Sequence, residues 1–312
     1  MTHRDLDAVQ WQTAWFTQRR ALETSRRKVS PDGPVGHRWW RGLELLFSLF
    51  ERLLRLSGLY NRGRANALDI TVKPLTLTLP SLPNAFDGYR ILQISDPHLD
   101  LLPELADRIV PLVRAASSDL LLLTGDYRDR HQDPPEAGLA LLAPILAAAE
   151  APDGRYALLG NHDPAAAVPI LEGLGLTVLL NQTVSLQRDG ATIYLTGLDD
   201  VHSFYTQAAR DALLEPRAGC RITAVHLAEI ADIAAEAGFE LYLCVHTHGG
   251  QICLPGGRPV MSHLRRCRAY ARGPWRHKGM IGYTSLGAGV ANMPIRFNCP
   301  PEIVLITLRA PG

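Results

Sequence analysis

Five short apolar runs in this chain each stop at residues that can hold a metal ion or move a proton. YRILQI (89–94) gives way to Ser95-Asp96-Pro97-His98, DLLLLT (119–124) to Gly125-Asp126, and RYALLG (155–160) to Asn161-His162-Asp163. RITAV (221–225) stops at His226, and ELYLCV (240–245) at His246-Thr247-His248-Gly249-Gly250. Such runs read as strands buried on both faces. In α/β proteins, ligand and catalytic groups sit just past strand ends, because short loops on a rigid sheet hold them accurately. The pattern therefore constrains the chain to an α/β fold with one loop cluster as its site.

Further strand-like runs fall at 68–79, 176–180, 191–197, 280–286 and 302–308, with helix-like stretches at 103–117, 136–150, 164–174, 206–215 and 227–237. Strands interspersed with helices predict two mixed β-sheets packed face to face and flanked by helices. At 312 residues the chain is long enough for one large domain with an appended segment. An apolar fraction of 46% and a charged fraction of 20% exclude a disordered or collagen-like chain.

Net charge is only +1, but residues 1–66 carry twelve Lys and Arg against six Asp and Glu. This basic end, 1–66, reads as an amphipathic helical segment ahead of a catalytic domain over 67–312. Residues 4–28 are charged and moderately amphipathic, and Ser30-Pro31-Asp32-Gly33-Pro34 ends them in a turn. Over 39–60, Arg41, Glu44, Ser48, Glu51, Arg52 and Arg55 share one helical face, and Leu43, Leu46, Phe47, Phe50, Leu53 and Leu54 the other. Leu45, Leu49 and Leu56 widen the apolar face. Two readings stand: a helix packed on the main domain, or an interfacial helix on an anionic membrane surface, with Trp39 and Trp40 at its mouth. Five cysteines without CxxC spacing argue against a disulfide scaffold or a zinc finger, and no signal peptide or spanning run is visible. The expected location is cytoplasmic, peripheral on the inner face of the membrane.

Singly, the strand-end residues are weak signals. Gly-Asp after a strand is usually a turn, Asn-His-Asp suits a helix cap before Pro164, and a lone histidine such as His226 is usually just hydrogen-bonded. Together they are five strand ends that supply Asp, Asn or His and never Cys. Mixed oxygen and imidazole ligands suit Mn, Fe or Zn. Seven such ligands exceed one ion and fit two ions sharing a carboxylate, a clamp for phosphoryl chemistry when the ions lie roughly 3.5–4 Å apart.

SDPH, GD, GNHD, a lone His and HTHGG, in this order, resemble the calcineurin-like metallophosphoesterase superfamily. The tail, with GMIGYTSLGAGV and PIRFNCPPEI, is similar to its bacterial YaeI/YkuE-type branch. The resemblance covers roughly 67–308 and implies an α/β/β/α sandwich and a phosphoester hydrolase that uses a metal-bridging hydroxide. It assigns Asp96, His98 and His248 to one ion, Asn161, His226 and His246 to the other, and Asp126 to the bridge. It makes His162 the non-ligand histidine that protonates the leaving oxygen or stabilises the transition state, and Asp163 either its orienting partner or a helix cap. Two positions depart from the family pattern. Val245 stands where Gly, which tolerates positive φ, usually precedes His-x-His, and Ala228 where Pro usually follows the fourth-motif His.

A basic run follows the last motif: Arg265, Arg266, Arg268, Arg272, Arg276, His277 and Lys278, interleaved with Tyr270 and Trp275. It reads either as a solvated loop or as a holder of an anionic substrate or lipid headgroup, with single-stranded nucleic acid ranked last. The expectation is a phosphodiesterase or pyrophosphatase acting on a lipid- or nucleotide-linked substrate. UDP-2,3-diacylglucosamine, of lipid A synthesis, is the example that the resemblance offers. The alternatives are a broad phosphodiesterase or phosphomonoesterase with a soluble substrate, and a non-catalytic scaffold of the same fold.

Overall fold

The computed structural model of the chain describes residues 8–36, 41–130, 133–260 and 264–312. One six-stranded sheet runs in the order β3 (Thr71–Thr78), β16 (Glu302–Arg309), β4 (Arg90–Ile94), β5 (Leu120–Leu123), β6 (Arg155–Ala157) and β7 (Thr177–Val178). The other runs β14 (Gly273–His277), β15 (Met280–Thr284), β11 (Leu241–Cys244), β10 (Arg221–Ala224), β9 (Ala191–Gly197) and β8 (Gln182–Arg188). β4 to β7 are parallel, as are β9, β10, β11 and β15; β16 runs antiparallel to β4, β14 to β15, and β8 to β9. Two short antiparallel ribbons, β1 (Arg27–Ser30) with β2 (Gly33–Gly36) and β12 (Cys253–Leu254) with β13 (Arg258–Pro259), lie outside the sheets.

The strand side chains sort into layers. Ile91, Leu120 and Leu122 meet Ile222, Leu241 and Leu243 between the sheets. Their neighbours Leu92, Ile94, Leu121 and Leu123 face the other way, onto α4 (Leu105–Ala115), α5 (Pro135–Ala140), α6 (Ala143–Ala148) and α7 (Ala167–Gly173). Tyr242 and Cys244 face α8 (Gln207–Leu214) and α9 (Ala231–Glu236). Side chains alternate across a strand, so an unbroken apolar strand such as Leu120–Leu123 is what a sheet covered on both sides requires. The result is the mixed, helix-flanked double sheet expected from the sequence.

Some elements differ from the expectation. The stretch 136–150 is two helices, because Pro144 lacks the N–H that a continuous helix would need there. β8 and β14 were not anticipated. Both are outer strands with mixed, half-exposed patterns (QTVSLQR, GPWRH), which weakens the apolar signal. The stretch 39–60 contains α2 (Arg41–Leu56); Gly58, at φ 74°, then turns the chain into α3 (Leu59–Leu68). Trp39 and Trp40 lie outside the described residues.

At the N-terminus, α1 (Ala8–Thr24) packs Trp11 and Trp15 into the core beneath the first sheet's helices. Arg19, 2% exposed, ties loops from both sheets: it pairs with Asp199 after β9 at 3.1 Å and donates to the Asp163 carbonyl after β6 at 2.9 Å. Its guanidinium lies 3.2 Å from the centroid of the Phe204 ring. Burial pushes the Asp199 carboxyl up to about 6, against the pull of Arg19. Removing one partner of a buried pair strands the other charge. We expect Arg19→Ala to destabilise the fold by about 3–5 kcal/mol, read as a lower urea midpoint at unchanged m-value.

Candidate metal centre

The parallel strands β4, β5 and β6 present their C-terminal ends on one edge of the first sheet, and β10 and β11 do the same on the second. All five strand-end motifs therefore meet at one place. Where the GD and GNHD loops cross, glycine is obligatory. A Cβ on Gly125 would lie 2.4 Å from the Gly160 nitrogen, and one on Gly160 would lie 2.1 Å from Asp126 Oδ1. Strain concentrates on the candidate ligands themselves: Asp96, His98, Asp126, His246 and His248 all hold φ between 39° and 74°. Left-handed backbone at non-glycine residues is costly and clusters at functional sites. Val245 is not among the positive-φ residues, so the position before His-x-His needs no glycine here.

Three groups of donors form; beside the one made by His98, Asp129 and His162 there are two more. Asp96, His98 and His248 make one, with His248 Nε2 3.2 Å from Asp96 Oδ2. Asp126, His226 and His246 make the other: His226 Nε2 is 3.1 Å from Asp126 Oδ2 and 3.3 Å from His246 Nδ1. The same Asp126 Oδ2 lies 3.8 Å from His98 Nε2, so this carboxylate stands between the groups. His226 Nδ1 donates to the Thr124 carbonyl at 2.8 Å, which turns Nε2 toward the cluster. His98 Nε2, Asp96 Oδ1 and Asn161 Oδ1 are buried without a hydrogen-bond partner. Buried polar atoms are otherwise nearly always paired, so these donors fit a divalent cation.

The electrostatics agree. Burial drives the Asp96 carboxyl well above its usual range. Asp126 is as deeply buried, yet the adjacent His226, His162 and His98 hold it well below. His226 is pushed up to about 10: burial opposes its charge, but Asp126, Asp96 and Asp200 outweigh it. Burial, His98 and Arg296 keep His248 well below the ordinary histidine value.

His162 stands beside this cluster, its ring 5.0 Å from that of His98. Its backbone N–H donates to Asp126 Oδ1 at 2.9 Å, and its Nδ1 lies 2.9 Å from the Asp129 carbonyl. Asp163 follows directly, and the helix after it, Ala167–Gly173, starts from Ala166. The Asp163 carboxylate accepts from Asp126 N at 2.7 Å, Gly160 N at 2.8 Å and Tyr127 N at 3.1 Å, clamping the two loops together. Burial and the neighbouring Asp126 push it up to about 6.

The basic run is mostly committed elsewhere. Arg266 pairs with Asp32 and Asp232, Arg268 donates to the Leu264 carbonyl, and Arg272 donates to the Gly257 carbonyl. The backbone of Arg265 donates to Glu229, and Arg276 is exposed on β14. Tyr270 stacks on Trp275, itself packed against the second sheet. One residue that sequence reasoning quoted without assigning is Arg296, fully buried against His248 Nδ1 at 3.3 Å and held by the carbonyls of Leu286, Gly287 and Gly289. An arginine between Ile295 and Phe297, in an otherwise apolar stretch, is the signal that could have found it.

Residues 89–250 match the family described as calcineurin-like phosphoesterase, and the chain belongs to it. It is similar to the uncharacterized metallophosphoesterase YkuE of Bacillus subtilis (strain 168): 30% identical over 250 residues, 75% of this chain and 84% of that one. The uncharacterized metallophosphoesterase YkoQ of the same organism is 25% identical over 78% of this chain and 92% of its own. Phosphodiesterase YaeI of Escherichia coli (strain K12) is 26% identical over 70% of this chain and 82% of its own. The chain is thus a metal-dependent phosphoesterase.

A cation entering the centre must expel the proton that the carboxylates hold on His226, since only the neutral imidazole ligates. We expect the apparent affinity for Mn(II), measured calorimetrically, to fall between pH 8 and pH 6 by up to about tenfold per pH unit for each proton displaced.

Proposed function

We propose that this phosphoesterase works with two divalent cations on a phosphodiester or pyrophosphate linked to a lipid or a nucleotide. The observation that carries this reading is the single carboxylate, Asp126, lying between two donor groups. Asp96, His98 and His248 would hold one cation, and Asn161, His226 and His246 the other, with Asp126 shared. Cations at such positions polarise phosphoryl oxygens and make water nucleophilic at neutral pH. The protein's own share is placement. Asp163 and the Gly125–Gly160 crossing fix Asp126, and Asp126 in turn fixes the backbone of His162. With its Nδ1 proton on the Asp129 carbonyl, His162 serves the leaving oxygen through Nε2.

The test is a manganese-supplemented assay on UDP-2,3-diacylglucosamine beside bis(p-nitrophenyl) phosphate, with Zn, Fe and Mg in parallel. We expect Asp126→Asn to lower kcat/KM by about 10³-fold or more on any ester that the wild type cleaves. Release of UMP by the wild type alone supports the lipid substrate. Turnover of the aryl ester alone removes that assignment and leaves the diesterase, and turnover of neither overturns the diester reading.

We further propose that the enzyme works at a membrane surface. Leu54 seats α2 on Tyr60, Met293 and Ile295, while Leu49, Leu53 and Leu56 stay 55%, 56% and 86% exposed. Among the described residues no helix is long and apolar enough to cross a membrane, so contact would be interfacial. Co-sedimentation with phosphatidylglycerol vesicles should be strong for the wild type and at least about tenfold weaker for Leu53→Glu/Leu56→Glu. Equal binding by both proteins, or none by the wild type, sinks the idea.

A further inference from the structure

A second non-ligand histidine borders the metal centre, on the side opposite His162. His202 lies in the loop after β9, its ring centroid 5.8 Å from that of His246 in the Asp126–His226–His246 group. His162 borders the other group, through His98. The two imidazoles therefore flank the cluster from its two ends.

His202 is held for a purpose its packing alone does not explain. Its Nδ1 is 3.2 Å from Glu229 Oε2, and Glu229 is 1% exposed. Burying a carboxylate is costly unless it is paired. Besides His202, Glu229 accepts the Arg265 N–H at 2.6 Å, and these partners keep its pKa below the ordinary value although burial opposes this. The loop itself is rigid: Asp200 accepts the His202 N–H at 3.2 Å and the Ser203 N–H at 3.0 Å, and the Ser203 carbonyl accepts from Val29 N at 2.9 Å. A side chain pinned at one ring nitrogen by a buried carboxylate presents the other in a fixed direction. Here the ring is 18% exposed, and Nε2 has no protein partner among the described residues.

We infer that His202, oriented by Glu229, contacts the retained substituent of the substrate's phosphoryl group, and so favours a phosphodiester or pyrophosphate over a phosphomonoester. The inference rests on the diester reading proposed above. A diester carries one group on each side of phosphorus, so a cluster flanked by two imidazoles can meet the leaving group at one end and the retained group at the other. Glu229 is a positioning residue and does not reach the substrate.

The experiment compares manganese-loaded wild type with His202→Ala, His202→Gln and Glu229→Gln on bis(p-nitrophenyl) phosphate and p-nitrophenyl phosphate. Manganese content is measured for each protein, and diphenyl phosphate, a sluggish diester, is titrated calorimetrically. A hydrogen bond to a neutral ester group is worth about 2- to 10-fold. We expect His202→Ala to lower the diester-to-monoester ratio of kcat/KM by about 2- to 10-fold, chiefly through a raised diester KM, with diphenyl phosphate binding weakened to match. His202→Gln, which keeps a donor, should recover most of the ratio, and Glu229→Gln should fall between. Equal losses on both esters, a fall in bound manganese in His202→Ala, or unchanged diphenyl phosphate binding would each overturn the inference. If the wild type cleaves neither ester yet binds diphenyl phosphate through His202, the diester reading falls and the contact stands.

Discussion

The Asp163 carboxylate spans the loops that follow β5 and β6, accepting backbone N–H groups from Asp126, Tyr127 and Gly160. Those loops can approach closely enough for this only because Gly125 and Gly160 carry no Cβ. The approach sets Asp126 between the two donor groups and sets the backbone of His162 on Asp126 Oδ1. Much of the centre's geometry thus follows from one buried side chain binding main chain.

Assembling the centre means burying charges that repel or lose hydration. Asp96 and Asp126 are buried beside His98, His226 and His248, and their proton affinities diverge in opposite directions as a consequence. A divalent cation offsets that desolvation by supplying charge where the carboxylates and imidazole lone pairs converge. The surroundings supply the rest of the rigidity. Arg296 backs His248 from a cage of carbonyls, and Arg19 on α1 joins the loop of Asp163 to that of Asp199. The N-terminal helix is therefore mechanically part of the centre, although it carries no ligand. His202 stands on the loop that Arg19 and Asp199 help to hold, so the outer edge of the site shares this buttress.

What the sequence by itself determined is local in origin. Short apolar runs such as LLLL (120–123) read as strands covered on both faces, and the ligand-bearing residues directly after five such runs then fall at strand ends. The double sheet with its helices was legible for that reason, and the family through its resemblance in the ordered motifs SDPH, GD, GNHD and HTHGG, which also hold residues that the structure gathers at the centre. Tertiary structure decided the rest, because it depends on which distant segments meet. The sequence offered Asp163 two roles near its own position and gave no sign of its bonds to the backbone of residues 126 and 127. The arginines of 265–276 read as either a solvated loop or an anion holder, and two of them, Arg266 and Arg272, find partners in Asp32, Asp232 and the Gly257 carbonyl. Arg19 and Asp199, or His202 and Glu229, show no spacing that links them. A side chain's partner across a fold is fixed by strand order and loop packing, and no local period encodes either.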